Sequence, residues 1–238
     1  MELEERYLLP QEERTFRASA AALMKNVYAW MTLGLVATAL MALVVSSNQM
    51  LMNAIFSGRF TFLALCIAEI ALVWIFASRI QTMSYSVATA VFFAYSLLNG
   101  ATLASIFYVY DLGSIVSVFF ITAGTFGVTS LIGYITKKDL SGWGHFLIMG
   151  LIGIIIASLV NMFMRNGIVS YVISLISVVL FVGLTAYDTQ NIKRLLINAD
   201  GYVDDDVKKI ALLGALSLYL DFINLFLALL RIFGGSRD

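Results

Sequence analysis

The sequence predicts an all-α integral membrane protein with seven transmembrane helices. Of its 238 residues, 61% are hydrophobic, 13% are charged and one is proline. A water-soluble globule of this size would need more polar residues to cover its surface. Seven apolar runs also have about the length, ~20 residues, that a helix needs to cross the hydrocarbon core of a bilayer. They are residues 27–45, 60–77, 83–108, 115–135, 146–164, 168–187 and 210–230.

The connections between these runs are too short to hold a soluble domain, so we expect a single transmembrane domain over residues 27–238. Residues 1–26 mix acidic and basic side chains and are expected to form a cytoplasmic N-terminal segment, as a short helix on the membrane surface. No cleavable signal peptide is expected, because the polar start lacks its pattern and the first apolar run is long enough to remain as a helix.

Lysine and arginine divide unevenly between the two sides of the predicted membrane. If the N-terminus is cytoplasmic, eleven of the fifteen basic residues lie on that side, and the other side holds Arg59, Arg165, Arg231 and Arg237. Positive charge in short loops favours the cytoplasm, so we predict a cytoplasmic N-terminus and a C-terminus outside.

Charge and cysteine content narrow the classes of partner. The net charge is zero, which argues against a nucleic acid, since nucleic acids bind basic surfaces. Cys66 is the single cysteine and lies inside the second apolar run, so it can form neither an intramolecular disulfide nor a cysteine metal site. The expected partner is therefore the lipid bilayer itself.

The last two apolar runs each carry an aspartate with polar neighbours on the same helix face. Asp221 lies near the middle of the last run, with Ser217 and Asn224 at positions i−4 and i+3. Asp188 follows the sixth run, with Thr185 at i−3. A charged side chain in hydrocarbon costs about 2.5–3.5 kcal/mol on insertion scales, so each aspartate must be partnered, protonated or in contact with water.

The turn between these two runs, residues 198–206, is rich in aspartate. The midpoint of positions 188 and 221 falls inside it, so a helical hairpin would place the two carboxylates at similar depth. This requires the sixth helix to continue past Lys193 and Arg194. The acidic residues of the turn do not match the EF-hand pattern, so we interpret it as a solvated turn in which an aspartate caps the seventh helix.

Other intramembrane polar and small residues have simpler interpretations. Glu69 is a third carboxylate, which either hydrogen-bonds inside the bundle or lines a pathway. His145, the single histidine, is expected to be solvated at the membrane surface. Four polar residues of the third run recur every third position and predict interhelical hydrogen bonds: Ser96, Asn99, Thr102 and Ser105. Glycines of the fourth and fifth runs predict close helix packing: Gly124, Gly127, Gly133, Gly150 and Gly153.

Two segments around the aspartates closely resemble the signature segments of the transmembrane Bax-inhibitor-motif family. They are Ala-Tyr-Asp-Thr-Gln at residues 186–190 and Ala-Leu-Ser-Leu-Tyr-Leu-Asp-Phe-Ile-Asn-Leu-Phe at residues 215–226. The resemblance covers residues 20–235 and implies a bacterial-type member in the inner (cell) membrane, with six helices packed around a central seventh. It also implies a calcium leak gated by a hydrogen-bonded aspartate pair, at Asp188 and Asp221, and an arginine latch, for which Arg79 is the candidate.

The chemistry of two neighbouring carboxylates indicates the same function. They cannot both ionise cheaply, so they share a proton, and such a pair can titrate near neutral pH. A nearby arginine competes with that proton, which provides two states. Carboxylate oxygens also suit calcium, so Asp188 and Asp221 are candidate metal contacts as well. We therefore predict a pH-sensitive calcium or cation leak in which Asp188 and Asp221 form the sensor and gate, Arg79 the latch, and Thr185, Ser217, Asn224 and Glu69 the supporting polar groups.

Other functions remain open at this stage. The first alternative is a membrane interaction protein, since some bacterial proteins that the chain resembles modulate a membrane-anchored protease. A proton-coupled transporter is a weaker alternative, because no proline interrupts an apolar run. An enzyme is not expected, because the Gly-x-Gly-Asp sequence of aspartyl intramembrane proteases is absent. No resident cofactor is expected, with calcium only as a permeant ion.

Overall fold

The computed structural model describes residues 2–199 and 205–235, whose regular secondary structure is α-helical throughout. The helices follow one another with short turns between them. They are α1 (Glu2–Ser47), α2 (Gln49–Phe56), α3 (Arg59–Arg79), α4 (Tyr85–Leu103), α5 (Ile106–Val109), α6 (Leu112–Ile135), α7 (Ser141–Met164), α8 (Gly167–Asn198) and α9 (Asp205–Phe233).

Seven segments of the described chain are long and apolar enough to cross a membrane, as the sequence predicted. They lie in α1, α3, α4 with α5, α6, α7, α8 and α9. The third segment is interrupted at Ala104 and Ser105, between α4 and the short α5. The first begins at Ala21, and α1 continues unbroken through residue 26, where the sequence predicted the end of a separate N-terminal segment.

Short polar side chains begin several of these helices. Each accepts a hydrogen bond from a backbone N–H of the first turn, which would otherwise have no partner. The capping residues are Asn48 for α2, Ser84 for α4, Asp111 for α6 and Asn166 for α8. These caps define the residues at which α2, α4, α6 and α8 begin.

The last helix, α9, is the centre of the bundle. About 67% of the residues in its apolar 18-residue stretch are buried inside the bundle. The corresponding share is 6% for α3 and α7 and 28–33% for the other four spans. Its neighbours are α1, α4, α6 and α8. Large side chains on several of its faces are fully buried, among them Leu212, Leu218, Tyr219, Leu225 and Leu230. The prediction of a central C-terminal helix is confirmed.

The hairpin of α8 and α9 has the geometry that would align the two aspartates. Helix α8 runs to Asn198, past Lys193 and Arg194, and packs along α9. Residues 200–204 lie outside the described residues, and with them Asp204, the position before α9 where a capping aspartate was expected. Asp205 and Asp206 occupy the first turn of α9, where the helix dipole favours negative charge.

Glycine brings two pairs of helices into backbone contact. A Cβ on Gly133 would lie 2.3 Å from the Ala186 carbonyl oxygen, so α6 approaches α8 there. A Cβ on Gly100 would lie 2.4 Å from the Thr38 carbonyl oxygen, so α4 approaches α1. A Cβ on Gly150 would contact the Leu180 side chain of α8. The packing prediction is wrong for Gly124, Gly127 and Gly153, because no described atom of a neighbouring helix lies within 4 Å of the position that a Cβ would take there.

Candidate functional site

Asp221 lies in the buried core of the bundle with an unsatisfied carboxylate. Its side chain is 5% exposed, and its Oδ2 atom is fully buried without a hydrogen-bond partner among the described residues. It is the single side-chain atom with this property in the described part of the chain. A buried polar atom that loses its water and gains no partner destabilises a protein by about 1–3 kcal/mol. Packing alone does not explain its presence.

Asp188 approaches the same place from α8. Its Oδ2 atom accepts a hydrogen bond of 2.6 Å from the Ser217 hydroxyl, which lies one turn before Asp221 on α9. The carboxyl groups of Asp188 and Asp221 are close enough to interact electrostatically. No direct hydrogen bond joins the two carboxylates in the described structure. The structure therefore brings Asp188, Ser217 and Asp221 together, while a shared proton in some state of the protein stays a prediction.

The other two polar residues on the helix faces of the aspartates, Thr185 and Asn224, direct their donors away from the carboxylates. Thr185 is fully buried, but its hydroxyl donates to the Phe181 carbonyl at 2.7 Å on its own helix. The Asn224 amide donates to the Leu220 carbonyl at 2.8 Å, also on its own helix. Both residues lie on the expected faces, yet neither hydrogen-bonds Asp188 or Asp221 in this conformation.

Arg79 ends α3 and is exposed. Within the described residues it forms no ion pair with Asp188. The latch contact is thus not made in this conformation. Its formation in another state of the protein stays a prediction.

Glu69 belongs to a separate polar network. Its Oε1 atom accepts from the Thr102 hydroxyl at 2.6 Å, and its Oε2 atom accepts from the Asn99 amide at 3.3 Å. The Asn99 side-chain oxygen, Oδ1, in turn accepts from the Tyr219 hydroxyl at 3.0 Å, and that hydroxyl is 2.6 Å from the hydroxyl of Thr38. The network joins α3, α4, α9 and α1. It confirms interhelical hydrogen bonds for Asn99 and Thr102, and Glu69 is hydrogen-bonded inside the bundle.

The residues after Asp188 fasten α8 to the turn between α6 and α7. The Gln190 side chain accepts from the Leu140 N–H and donates to the Lys138 carbonyl, both at 2.8 Å. Arg194 forms an ion pair of 2.6 Å with Asp139 and also donates to the Ser141 hydroxyl. This clamp was not predicted from the sequence. Its signal was Gln190, a large polar residue two positions after an intramembrane aspartate.

The electrostatics of this turn are set mainly by backbone donors. The pKa of Asp139 is lowered from 3.8 to about 2, chiefly by the hydrogen bond from the Ser141 N–H and then by Arg194. Asp139 is exposed and therefore stays ionised at any ordinary pH. It is not a candidate for a sensor near neutrality.

Two further contacts anchor neighbouring parts of the site. Thr189, which follows Asp188, is fully buried with its hydroxyl 2.9 Å from that of Ser130, which is 2.6 Å from the Tyr28 hydroxyl. Lys209 near the start of α9 is 6% exposed and pairs with Asp206 at 2.6 Å. Its ammonium also donates to backbone carbonyls of the α3–α4 turn. These contacts hold α8 and α9 on the side of the aspartates that leads to the connection between the two helices.

The described residues contain no group of three or more histidine, cysteine, aspartate or glutamate side chains that could hold a metal ion. The candidate metal contacts are therefore the two carboxylates of Asp188 and Asp221, with the Ser217 hydroxyl beside them. Calcium takes six to eight oxygen ligands, so protein atoms at this position supply only part of a coordination shell.

These features define a class: an integral membrane protein of seven spanning helices, the last of which is central, with an acidic site inside the bundle. The chain belongs to the Bax inhibitor family. The family described as "Inhibitor of apoptosis-promoting Bax1" matches residues 20–238, which confirms the family resemblance of the two aspartate segments.

The relatives are bacterial proteins that align over most of their length. The chain is 48% identical to "Inner membrane protein YbhL" of Escherichia coli K12 over 221 residues, which are 93% of this chain and 94% of that protein. It is 46% identical to a protein of Borreliella burgdorferi over 218 residues, 90% of this chain and 92% of the relative. A membrane protein of Streptococcus pyogenes serotype M1 is 45% identical over 170 residues, 71% and 72% of the two chains.

Proposed function

We propose that this Bax inhibitor family protein is a pH-sensitive cation leak, with calcium as the permeant ion, controlled by Asp188 and Asp221. One observation carries the proposal: a buried carboxylate oxygen of Asp221 has no hydrogen-bond partner among the described residues, and Ser217, one turn earlier on α9, hydrogen-bonds a second buried carboxylate, that of Asp188. An apolar residue at this position would pack without that cost. Ionisable residues kept inside a membrane protein are generally functional.

Proton occupancy provides the two states that a gate requires. When one proton is shared, repulsion between the carboxyl groups is relieved; when it is lost, two like charges face each other across α8 and α9. The Ser217 hydroxyl donates to Asp188 and so favours the ionised form of that carboxylate. Protonation thus selects between two packings of α8 against α9 around the aspartates.

The oxygen atoms at this site suit a permeating cation. Two carboxylates and one hydroxyl would supply a few oxygens, and water would complete the shell of a calcium ion. Calcium is accordingly proposed as cargo. We propose neither a resident cofactor nor an enzymatic activity for this site.

The test is calcium flux into proteoliposomes that contain only the purified chain, measured at a series of pH values from 5 to 8. We expect flux above that of empty liposomes, with a rate that depends on pH. Replacing Asp188 or Asp221 by asparagine keeps the size of the side chain but removes the titration, so the pH dependence should be lost. Glu69→Gln and His145→Ala are the controls, because neither side chain contacts the pair.

Two results would contradict the proposal: no flux by the purified chain, or an unchanged pH profile in both aspartate variants. In that case the alternative function gains support, namely a membrane interaction protein that modulates a membrane-anchored protease or another membrane partner. Co-purification of such a partner, with no flux by the chain alone, is the result that this alternative predicts.

The proposed orientation has a cytoplasmic N-terminus and a C-terminus outside. An odd number of spans supports termini on opposite sides of the membrane, and the excess of lysine and arginine on the N-terminal side supports this direction. Reporter fusions after residue 238 should be active only outside the cytoplasm. A cytoplasmic signal from that position would refute this orientation.

A further inference from the structure

A groove of about 620 Å³ runs along the flank of the bundle between α1 and α6. Its walls extend from Ala21 to Leu35 on α1 and from Phe119 to Tyr134 on α6, and Phe222 of α9 contributes to its lining. The groove follows α1 over fourteen residues of helical rise, so its length is about 21 Å at 1.5 Å per residue. Most of the lining side chains are apolar.

One end of this groove is basic and hydroxylated. Lys25 lines it together with Tyr28, Ser130 and Tyr134. Lys25 is exposed and makes no hydrogen bond or ion pair with any described residue. A second cation, Lys193, contacts Tyr134 of the groove lining, with its ammonium 4.3 Å from the centre of the Tyr134 ring. In the proposed orientation this end faces the cytoplasmic leaflet, where anionic lipids create a negative surface potential.

We propose that the groove between α1 and α6 binds an anionic phospholipid, with one acyl chain along its apolar walls and the phosphate at Lys25. The groove is about 21 Å long, and one leaflet of a bilayer whose core is ~30 Å thick contributes ~15 Å of hydrocarbon. The groove is therefore long enough for an acyl chain that spans one leaflet. The position of the charge matches as well. Basic pockets between membrane helices at the cytoplasmic side are the usual sites for anionic headgroups.

The volume favours a lipid chain over a helix of a partner protein. An α-helix with its side chains is 10–12 Å across, so 21 Å of helix fills roughly 1,600 Å³ or more. All the space in the groove that is free of protein atoms, including the part open to its surroundings, amounts to about 1270 Å³. A helix would therefore rest on its rim without entering it, whereas a single acyl chain is slender enough to enter.

Two glycines of α6 provide a matched pair of variants for the test. Gly124 and Gly127 both have open space around a built Cβ, so a larger side chain is tolerated at either position. Only Gly127 lines the groove. Gly127→Leu should fill the groove, and Gly124→Leu should add the same side chain outside it. Lys25→Gln removes the proposed phosphate contact, with Lys137→Gln, an exposed lysine of the α6–α7 turn, as its control.

The experiment is native mass spectrometry of the delipidated full chain in detergent, titrated with phosphatidylglycerol or with phosphatidylcholine of the same acyl chains. We expect one tightly retained phosphatidylglycerol and at least about tenfold weaker retention of phosphatidylcholine. Gly127→Leu should lose retention of both lipids, whereas Lys25→Gln should lose the preference for phosphatidylglycerol. Gly124→Leu and Lys137→Gln should match the parent. Thermal unfolding of each variant checks that it is folded.

Three outcomes would overturn the inference. Equal retention of the two lipids would show that headgroup charge is not recognised. Equal losses in Gly124→Leu and Gly127→Leu would indicate general lipid contact on the surface of α6. A dimer that Gly127→Leu dissociates would show that a second copy covers the groove. None of these readouts involves cation flux, so a failure here leaves the proposed leak untouched.

Discussion

Glu69 and Asp221 are both carboxylates inside the bundle, and their surroundings differ. Glu69 accepts one hydrogen bond on each oxygen, from Thr102 and Asn99 of the neighbouring helix. Asp221 is more deeply buried, and its Oδ2 atom accepts none from the described residues. A carboxylate with a complete set of donors contributes to the structure, whereas one without donors lowers stability. The second kind is the stronger indication of function.

The difference arises from where neighbouring donors are directed. On α4, Asn99 and Thr102 lie three residues apart on one face and both reach across to Glu69. Around Asp221, the polar side chains of Thr185 and Asn224 donate to carbonyls of their own helices. The fold therefore supplies donors to one acidic site and withholds them from the other.

The largest effect that we expect from this comparison is on stability. Glu69→Ala leaves the Asn99 amide and the Thr102 hydroxyl without their interhelical acceptor, which should lower the free energy of unfolding by about 1–3 kcal/mol. Asp221→Asn removes a buried charge and its repulsion with Asp188, so it should leave stability unchanged or raise it at pH 8. Thermal unfolding in detergent measures both variants.

The comparison between the two sites fails if Asp221→Asn lowers the midpoint of thermal unfolding more than Glu69→Ala does. Asp221 would then be a structural residue, like Glu69. Measuring the same variants at pH 5 adds a control. The difference between Asp221→Asn and the parent should shrink there, because a protonated pair no longer carries two like charges.

The next largest effect concerns Ser217. Ser217→Ala removes the hydrogen bond to the Asp188 carboxylate, and a donor to a carboxylate favours its charged form. Without it, protonation becomes easier, and the pH midpoint of flux should move upward by about one unit, which corresponds to ~1.4 kcal/mol. The control is Ser177→Ala, whose hydroxyl donates to a carbonyl of its own helix. A downward shift for Ser217→Ala would be incompatible with this role.

A smaller effect is expected from Arg79. If it contacts Asp188 in another state, Arg79→Ala deprives the ionised form of a cationic partner, and the flux midpoint should again move upward. The shift should be smaller than that of Ser217→Ala, because exposed ion pairs contribute about 0.2–1 kcal/mol. Flux of Lys137→Ala provides the comparison for loss of an unrelated cation. Identical midpoints for Arg79→Ala and the parent would eliminate the latch.

The smallest effect is expected at Asp139. Because the pKa of Asp139 is lowered from 3.8 to about 2, the stabilisation from its contacts is fully present above 3.8 and is lost as the pH falls through about 2. Between pH 5 and 8 it stays ionised, so Asp139→Asn should leave the flux midpoint in place. Its effect on the thermal midpoint should also be constant over that range. A flux midpoint that moves with Asp139 would relocate the sensor to the α6–α7 turn.

Much of the fold could be predicted from the sequence, because membrane spans follow from local composition. All seven apolar runs correspond to helices. Their ends differ most at the start of α1, which begins at Glu2, and at the end of α8, which continues to Asn198. The central position of α9 came from the family resemblance. Length and hydropathy define which segments span the membrane, but they do not say which of them lies in the middle.

Side-chain partners were harder to predict because helical spacing defines a face but not the helix that it meets. Spacing placed Ser217, Thr185 and Asn224 on the aspartate faces, yet only Ser217 bonds a carboxylate. The same limit applies to the glycines. Gly133 meets α8, whereas Gly127, two helical turns earlier on α6, opens into the groove beside α1.

The most direct test of the central claim is to observe the proton between Asp188 and Asp221. Infrared spectroscopy detects the carbonyl stretch of a protonated carboxyl group, and ¹³C labelling of aspartate separates this band from that of Glu69. We predict one labelled band that disappears as the pH rises through the flux midpoint and is absent from both Asp188→Asn and Asp221→Asn. A band that survives in both variants, or no labelled band in the parent between pH 5 and 8, would contradict a shared proton.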